Sequence, residues 1–108
     1  MTIHEERDGT SLTVIPEGSL DTLSSPELER FLKARYDEVR HIVFDLKDLE
    51  YISSAGLRLL IQAYKAMKDK DGVQLINVNS EQVRDLFSLT GYSHVLKTDR
   101  SADFQGGT

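Results

Sequence analysis

Ile42-Val43-Phe44, flanked by His41 and Asp45, is a short apolar run without alternation. Such a run reads as a strand covered on both faces, and parallel sheets joined by helical crossovers supply that cover. It therefore predicts a central strand around which the rest of the chain is arranged. Helical spacing stands on either side of it. Leu28, Phe31, Leu32, Tyr36 and Val39 recur at that spacing before the strand, behind a start signal at Ser24-Ser25-Pro26-Glu27. Leu57, Leu60, Ile61, Tyr64 and Met67 recur after it and end at Asp71-Gly72. Val73 to Val78 predicts a further strand, and Asn79-Ser80-Glu81 opens a third helix carrying Val83, Leu86, Phe87 and Thr90.

The first residues predict a hairpin. Thr2 to Arg7 and Ser11 to Pro16 flank Asp8-Gly9-Thr10, and Asp-Gly favours a tight turn. The second strand is expected to stop at Pro16, which lacks an amide donor, with Gly18-Ser19-Leu20-Asp21 as the connection that follows. A short extended stretch is expected at His94 to Lys97. The whole predicts a single α/β domain over residues 2–97, with a mixed sheet of about four to five strands and about three to four helices packed mainly on one face. Residues 98–108, polar and ending in Gly-Gly-Thr, are expected to form a flexible tail.

Several function classes are disfavoured. Thirteen Lys and Arg against eighteen Asp and Glu give a net charge of −5, which suits neither nucleic acid nor an anionic membrane surface. With no Cys there is no thiol nucleophile, thiolate zinc site or disulfide framework, and a reducing cytoplasm is the expected compartment. The longest apolar runs, Ile42-Val43-Phe44 and Leu59-Leu60-Ile61, fall far short of a membrane span, and the first residues carry no signal-peptide pattern. Phosphate-loop, dinucleotide-binding, zinc-protease and nucleophile-elbow patterns are missing, and His4, His41 and His94 stand apart. Asp45 and Asp48, at the end of the central strand, are the residues a phosphate-accepting or magnesium-binding enzyme would use.

Tyr51-Ile52-Ser53-Ser54-Ala55-Gly56-Leu57 places two hydroxyls and a glycine at the start of the second helix. One of the two serines is expected to cap the first-turn amides, and if that is Ser53, the Ser54 hydroxyl is left for solvent. At about 100° per residue Ser54, Arg58, Gln62 and Lys65 fall within about 80° of one another, with Leu57 and Ile61 on the border of that stripe. Leu60, Ala63, Tyr64 and Met67 lie opposite and should face the sheet. Gly56 weakens a helix relative to Ala, so it needs a reason, of which the close approach of another backbone is one. A surface of this kind suits an acidic partner.

These segments, Gly18-Ser19-Leu20-Asp21, Ile42-Val43-Phe44-Asp45-Leu46 and Tyr51 to Leu57, closely resemble the bacterial anti-sigma factor antagonist family, whose domain is called STAS. The resemblance implies a cytoplasmic, non-enzymatic regulator. Its unmodified form would bind an anti-sigma factor that is also a serine kinase, and so free the sigma factor. Phosphorylation of one serine would release it, and a metal-dependent serine phosphatase would restore it. The acceptor lies two residues before the glycine of the family's Gly-Leu pair, which is Ser54 here. Ser53 stands where many members have aspartate, and Ala55 where a second hydroxyl is common. Asp21 matches the family's early Leu-Asp and is carried over as a partner contact. With the stripe, the expected partner surface is Asp21, Ser53, Ser54, Gly56, Leu57, Arg58, Ile61, Gln62 and Lys65. No cofactor is implied, because ATP and magnesium belong to the kinase. The alternative implied by the same fold is a non-phosphorylated accessory module of a membrane transport system.

Overall fold

The computed structural model describes residues 1–90 and 97–98. Its sheet begins with the expected hairpin, β1 (Thr2–Asp8) against β2 (Ser11–Leu20), turning at Gly9 with φ of 62°. β2 then runs parallel to β3 (His41–Asp45), β3 to β5 (Val73–Ile76), and β5 to β6 (Lys97–Thr98), which gives the order β1-β2-β3-β5-β6. Between β3 and β5, β4 (Leu49–Ile52) leaves this path and pairs in parallel with the far end of β2. The helices are α1 (Ser25–Lys33), α2 (Ser54–Met67) and α3 (Glu81–Thr90). This is the mixed α/β sheet that the sequence predicts.

Register explains which face is apolar. Leu12 lies beside Ile42 and Ile42 beside Val73, while Val14, Phe44 and Leu75 line up in the next row. All six are buried, on the side where Leu28, Leu32, Leu57, Leu60, Ala63 and Met67 complete the core. The row between them, Thr13-Val43-Gln74, faces the other way and is only half covered. The expectation that β3 is sealed on both faces is therefore corrected. Its run lacks alternation because Val43 is an apolar residue on the more open face.

Three other expectations change. β2 does not stop at Pro16 but continues to Leu20, with a register shift between Gly18 and Ser19. Pro16 falls after β3 has left the strand at Val14 and before β4 joins at Gly18, so on that side no neighbour needs its missing donor. The first helix does not reach Val39. At Arg35 the guanidinium takes the Phe31 carbonyl (2.8 Å) while the Arg35 amide turns to the Leu32 carbonyl (2.9 Å), so the next helical bond is not made. The chain instead forms a 3-10 turn at Tyr36–Glu38 before Val39 enters the core. The second helix ends at Met67 and reaches Gly72 (φ 88°) through a turn.

β4 was not expected from the sequence. Its four residues, Leu49-Glu50-Tyr51-Ile52, bury the two ends and expose the two middle positions, so no two-residue alternation marks it. Within the expected extended stretch at 94–97 only Lys97 is described, in β6, and the tail from residue 99 lies outside the described residues. No helix among the described residues is long and apolar enough to cross a membrane.

Candidate functional site

The end of β2, the end of β4 and the start of α2 meet at one point, the Leu20 carbonyl. It accepts the Ser53 amide at 2.9 Å. A methyl group added at Gly56 would stand 2.7 Å from that same oxygen, 2.7 Å from Leu20 Cγ and 2.9 Å from Ile52 Cγ1. Gly56 is buried, and the close backbone approach inferred from its presence is the approach of Leu20. Its role is to let α2 sit against the strand ends.

Ser53 and Ser54 take the two roles expected of them. Ser53 is the N-cap residue, extended at φ −95° and ψ 173°, and its Oγ accepts the Gly56 amide at 3.3 Å. Ser54, the first residue of α2, is exposed, and its hydroxyl has no hydrogen-bond partner among the described residues. Along the same side Arg58, Gln62 and Lys65 are all exposed. Arg58 and Lys65 make no ion pair among the described residues, so this is a cationic stripe on a chain of net negative charge.

The two border residues separate. Leu57 is only 3% exposed and belongs to the core. Ile61 is half-buried and packs against that core. Leu57, like Gly56, therefore shapes the surface from below and is not part of it in this conformation. Ile61 offers a partner only an edge, and substituting it with a charge would disturb folding as well as binding.

Asp21 heads the loop that leads from β2 into α1. Its Oδ1 accepts the Leu23 and Ser24 amides, each at 3.0 Å, and the Ser24 hydroxyl lies 3.1 Å away. That hydroxyl also bonds the Ser19 carbonyl (2.8 Å) and the Asp21 amide (2.9 Å), so Ser24 precedes α1 without capping it through its side chain. The Ser24 amide, then the Ser24 hydroxyl and the Leu23 amide, hold the Asp21 carboxyl below the usual aspartate range. Asp21 is thus the knot of the loop and remains partly exposed. The loop lifts Leu23 into solvent at 91% exposure, beside a cleft of about 560 Å³ that Glu17, Asp21 and Glu27 also line. Leu23 was missed in the sequence, where its only signal is an apolar residue outside every periodic pattern. Tyr51, on β4, is a second exposed apolar side chain near the same junction.

Asp45 has a structural use. It is buried, and its Oδ1 accepts the Asn77 side-chain amide (3.0 Å) and the Lys47 amide (3.2 Å). Among the described residues no group of three or more His, Asp or Glu side chains could hold a metal ion.

The fold that carries this junction recurs in known proteins. The model of the STAS domain family matches residues 2–104. The anti-sigma-B factor antagonist of Staphylococcus aureus is 30% identical over 89 residues, 82% of each chain. The crystal structure of an anti-sigma factor antagonist from Mycobacterium paratuberculosis superposes with a TM-score of 0.82 at 23% identity, covering 98% of this chain and 92% of that one. The Bacillus cell fate determinant SpoIIAA in its phosphorylated form gives a TM-score of 0.71 at 15% identity over 98% of both chains, a likeness of fold. By the family match along nearly its whole length, this chain belongs to the STAS domain family.

Proposed function

We propose that this protein is an anti-sigma factor antagonist that switches partners through phosphorylation of Ser54. In its unmodified form it binds an anti-sigma factor that is also a serine kinase, and the sigma factor is set free. The kinase brings ATP and magnesium, modifies Ser54 and lets the product go. A metal-dependent serine phosphatase regenerates the binding form, and all of this takes place in the cytoplasm. The observation that carries the reading is the division of labour at the α2 start, where Ser53 spends its hydroxyl on the cap and Ser54 keeps its own exposed and unpaired. The name of the Staphylococcus aureus relative supports the partner class.

The switch follows from electrostatics. A phosphate adds about −1.5 to −2 charges at a helix N-terminus, where the dipole favours an anion by about 0.3–1 kcal/mol. The free domain should therefore tolerate it. A partner covering the α2 surface would have to strip water from that dianion, and a penalty of about 3–4 kcal/mol lowers affinity roughly 200- to 1000-fold. Arg58, one turn along α2, can pair with the phosphate and so withdraw its own charge from the partner.

Incubation with the cognate kinase and ATP tests the proposal. Ser54→Asp should melt like the wild type yet lose the anti-sigma factor, while Ser54→Ala should bind but take up no phosphate. Phosphate located on Ser53, or on no serine, would overturn the assignment. The latter outcome would leave the transport-accessory role as the surviving reading.

A further inference from the structure

Among the described residues, the outer edge of β4 is closed by side chains rather than by a strand. Backbone groups of successive strand residues point to opposite sides. The Ser53 amide points towards β2 and meets Leu20, so both polar groups of Ile52 point away from the sheet. There the half-buried Gln82 of α3 meets both. The Ile52 amide donates to Gln82 Oε1 at 2.9 Å, and Gln82 Nε2 donates to the Ile52 carbonyl at 2.9 Å. One carboxamide thus copies the paired bonds of a neighbouring strand. Two residues earlier on the same edge, the Glu50 carbonyl accepts the Ser80 hydroxyl at 2.9 Å, and Ser80 Oγ also accepts the Val83 amide at 3.4 Å in the first turn of α3.

We propose that Gln82 is a positioning residue for the Ser54 segment: its carboxamide clamps the Ile52 peptide from the α3 side while Leu20 holds Ser53 from the β2 side. The proposal rests on Ser54 being the phosphoacceptor. Without the clamp the last residue of β4 has one fixed side only, and the Ser53 cap that orients Ser54 starts from a looser base. The kinase must then find the hydroxyl among more backbone positions, which raises the barrier to transfer. Gln82 itself touches no phosphate.

Three substitutions in the full chain decide the matter. Gln82→Leu keeps the bulk and removes both bonds. Gln82→Glu keeps the acceptor, but once ionised it turns an oxygen towards the Ile52 carbonyl; protonated, it offers an O–H in place of the amide donor. Val83→Ala removes buried apolar contact from the same helix and keeps both groups of the Gln82–Ile52 pair. For Gln82→Leu the protection factor of the Ile52 amide in hydrogen exchange should fall about tenfold or more, the factor expected for loss of a hydrogen bond of ordinary strength. Its kcat/KM for Ser54 labelling by the cognate kinase should fall by a similar factor. Val83→Ala should melt lower yet label as the wild type does. Gln82→Glu keeps the acceptor of the Ile52 amide and, once ionised, loses the donor to the Ile52 carbonyl, so its Ile52 protection and its labelling should fall between those of the wild type and Gln82→Leu. Equal labelling of wild type and Gln82→Leu would overturn the proposal, as would an equal loss in Val83→Ala. A wild type that is not labelled at Ser54 would instead defeat the phosphoacceptor reading, and the proposal with it.

Discussion

Gly56→Ala tests how tightly the α2 start is seated. In an open helix the change would stabilise, because Ala is the better helix former by up to about 1 kcal/mol. Here the new methyl would stand 2.7 Å from Leu20 Cγ, 2.7 Å from the Leu20 carbonyl oxygen and 2.9 Å from Ile52 Cγ1. Side chains can yield a few tenths of an ångström. The carbonyl cannot yield cheaply, because it is held by the Ser53 amide at 2.9 Å. Relief therefore means moving α2 as a body away from β2 and β4, an overpacking that costs about 1–3 kcal/mol. With a backbone oxygen among the atoms met, the cost falls in the upper half of that range, and after the propensity gain the net loss is about 1–2 kcal/mol. At about 4–8 °C per kcal/mol for a domain near this size, the melting point should fall by roughly 5–15 °C.

Urea unfolding with unchanged m-value, alongside thermal melting, reads that loss. A double-mutant cycle with Leu20→Ala adds a second number. Removing Leu20 Cγ relieves one of the three contacts, so the pair should couple favourably, but by less than the full cost of Gly56→Ala because the carbonyl oxygen stays in place. A Gly56→Ala protein as stable as the wild type would refute the idea that the junction excludes a methyl group, and with it the explanation of why a glycine sits in the first turn of α2.

Other changes at the site have their own readouts. Ser53→Ala removes the acceptor of the Gly56 amide and should cost about 0.5–2 kcal/mol in chemical denaturation, whereas Ser53→Asp, which keeps an acceptor and adds a favourable charge at the helix start, should recover most of it. Asp21 has a lowered folded-state pKa, so its contribution to stability is present above the unfolded aspartate value of about 3.9 and is lost as pH falls through the folded value. Asp21→Ala should accordingly show a shallower acid limb in a pH series of melting points, with faster exchange of the Leu23 and Ser24 amides. Arg58→Glu should weaken anti-sigma factor binding, measured by calorimetry, without lowering the melting point, because Arg58 is exposed and unpaired among the described residues.

What the sequence carried well was chemistry decided by neighbours along the chain. The Asp8-Gly9 turn, the Ser53 cap, the free Ser54 hydroxyl and the exposed Arg58-Gln62-Lys65 stripe all follow from local spacing, and the structure has each of them. What it carried poorly was decided by distant partners. α1 stops early because the Arg35 side chain competes for a carbonyl, β2 passes through Pro16 because two different strands flank it in turn, and β4 exists because the end of β2 receives it. At the site, a wheel placed Leu57 on the border of the exposed stripe, but α2 leans so that Leu57 goes under and Ile61 lies halfway. Gln82 could not have been found by pattern at all, since its partner is a peptide group thirty residues away and any residue type could have supplied that.

In the proposed switch, the separation between buried and exposed groups at this junction would let one hydroxyl carry the phosphate without endangering the fold. Everything that fixes the α2 start lies beneath or behind it: Gly56 against Leu20, the Ser53 cap, and the carboxamide of Gln82 on Ile52. None of these bonds uses Ser54. Adding a dianion to Ser54 therefore breaks no bond of the folded domain and gains a little from the helix amides, about 0.3–1 kcal/mol. The same group meets a penalty several times larger once a partner covers it, about 3–4 kcal/mol if desolvated without full compensation. The difference between those two figures sets the switching ratio, and it survives only while the free domain stays indifferent to the charge. If Ser54→Asp were to melt several degrees below the wild type, the hydroxyl would be coupled to the seating of α2, and release of the partner would have to be read as partial unfolding of the junction rather than as repulsion at an intact surface.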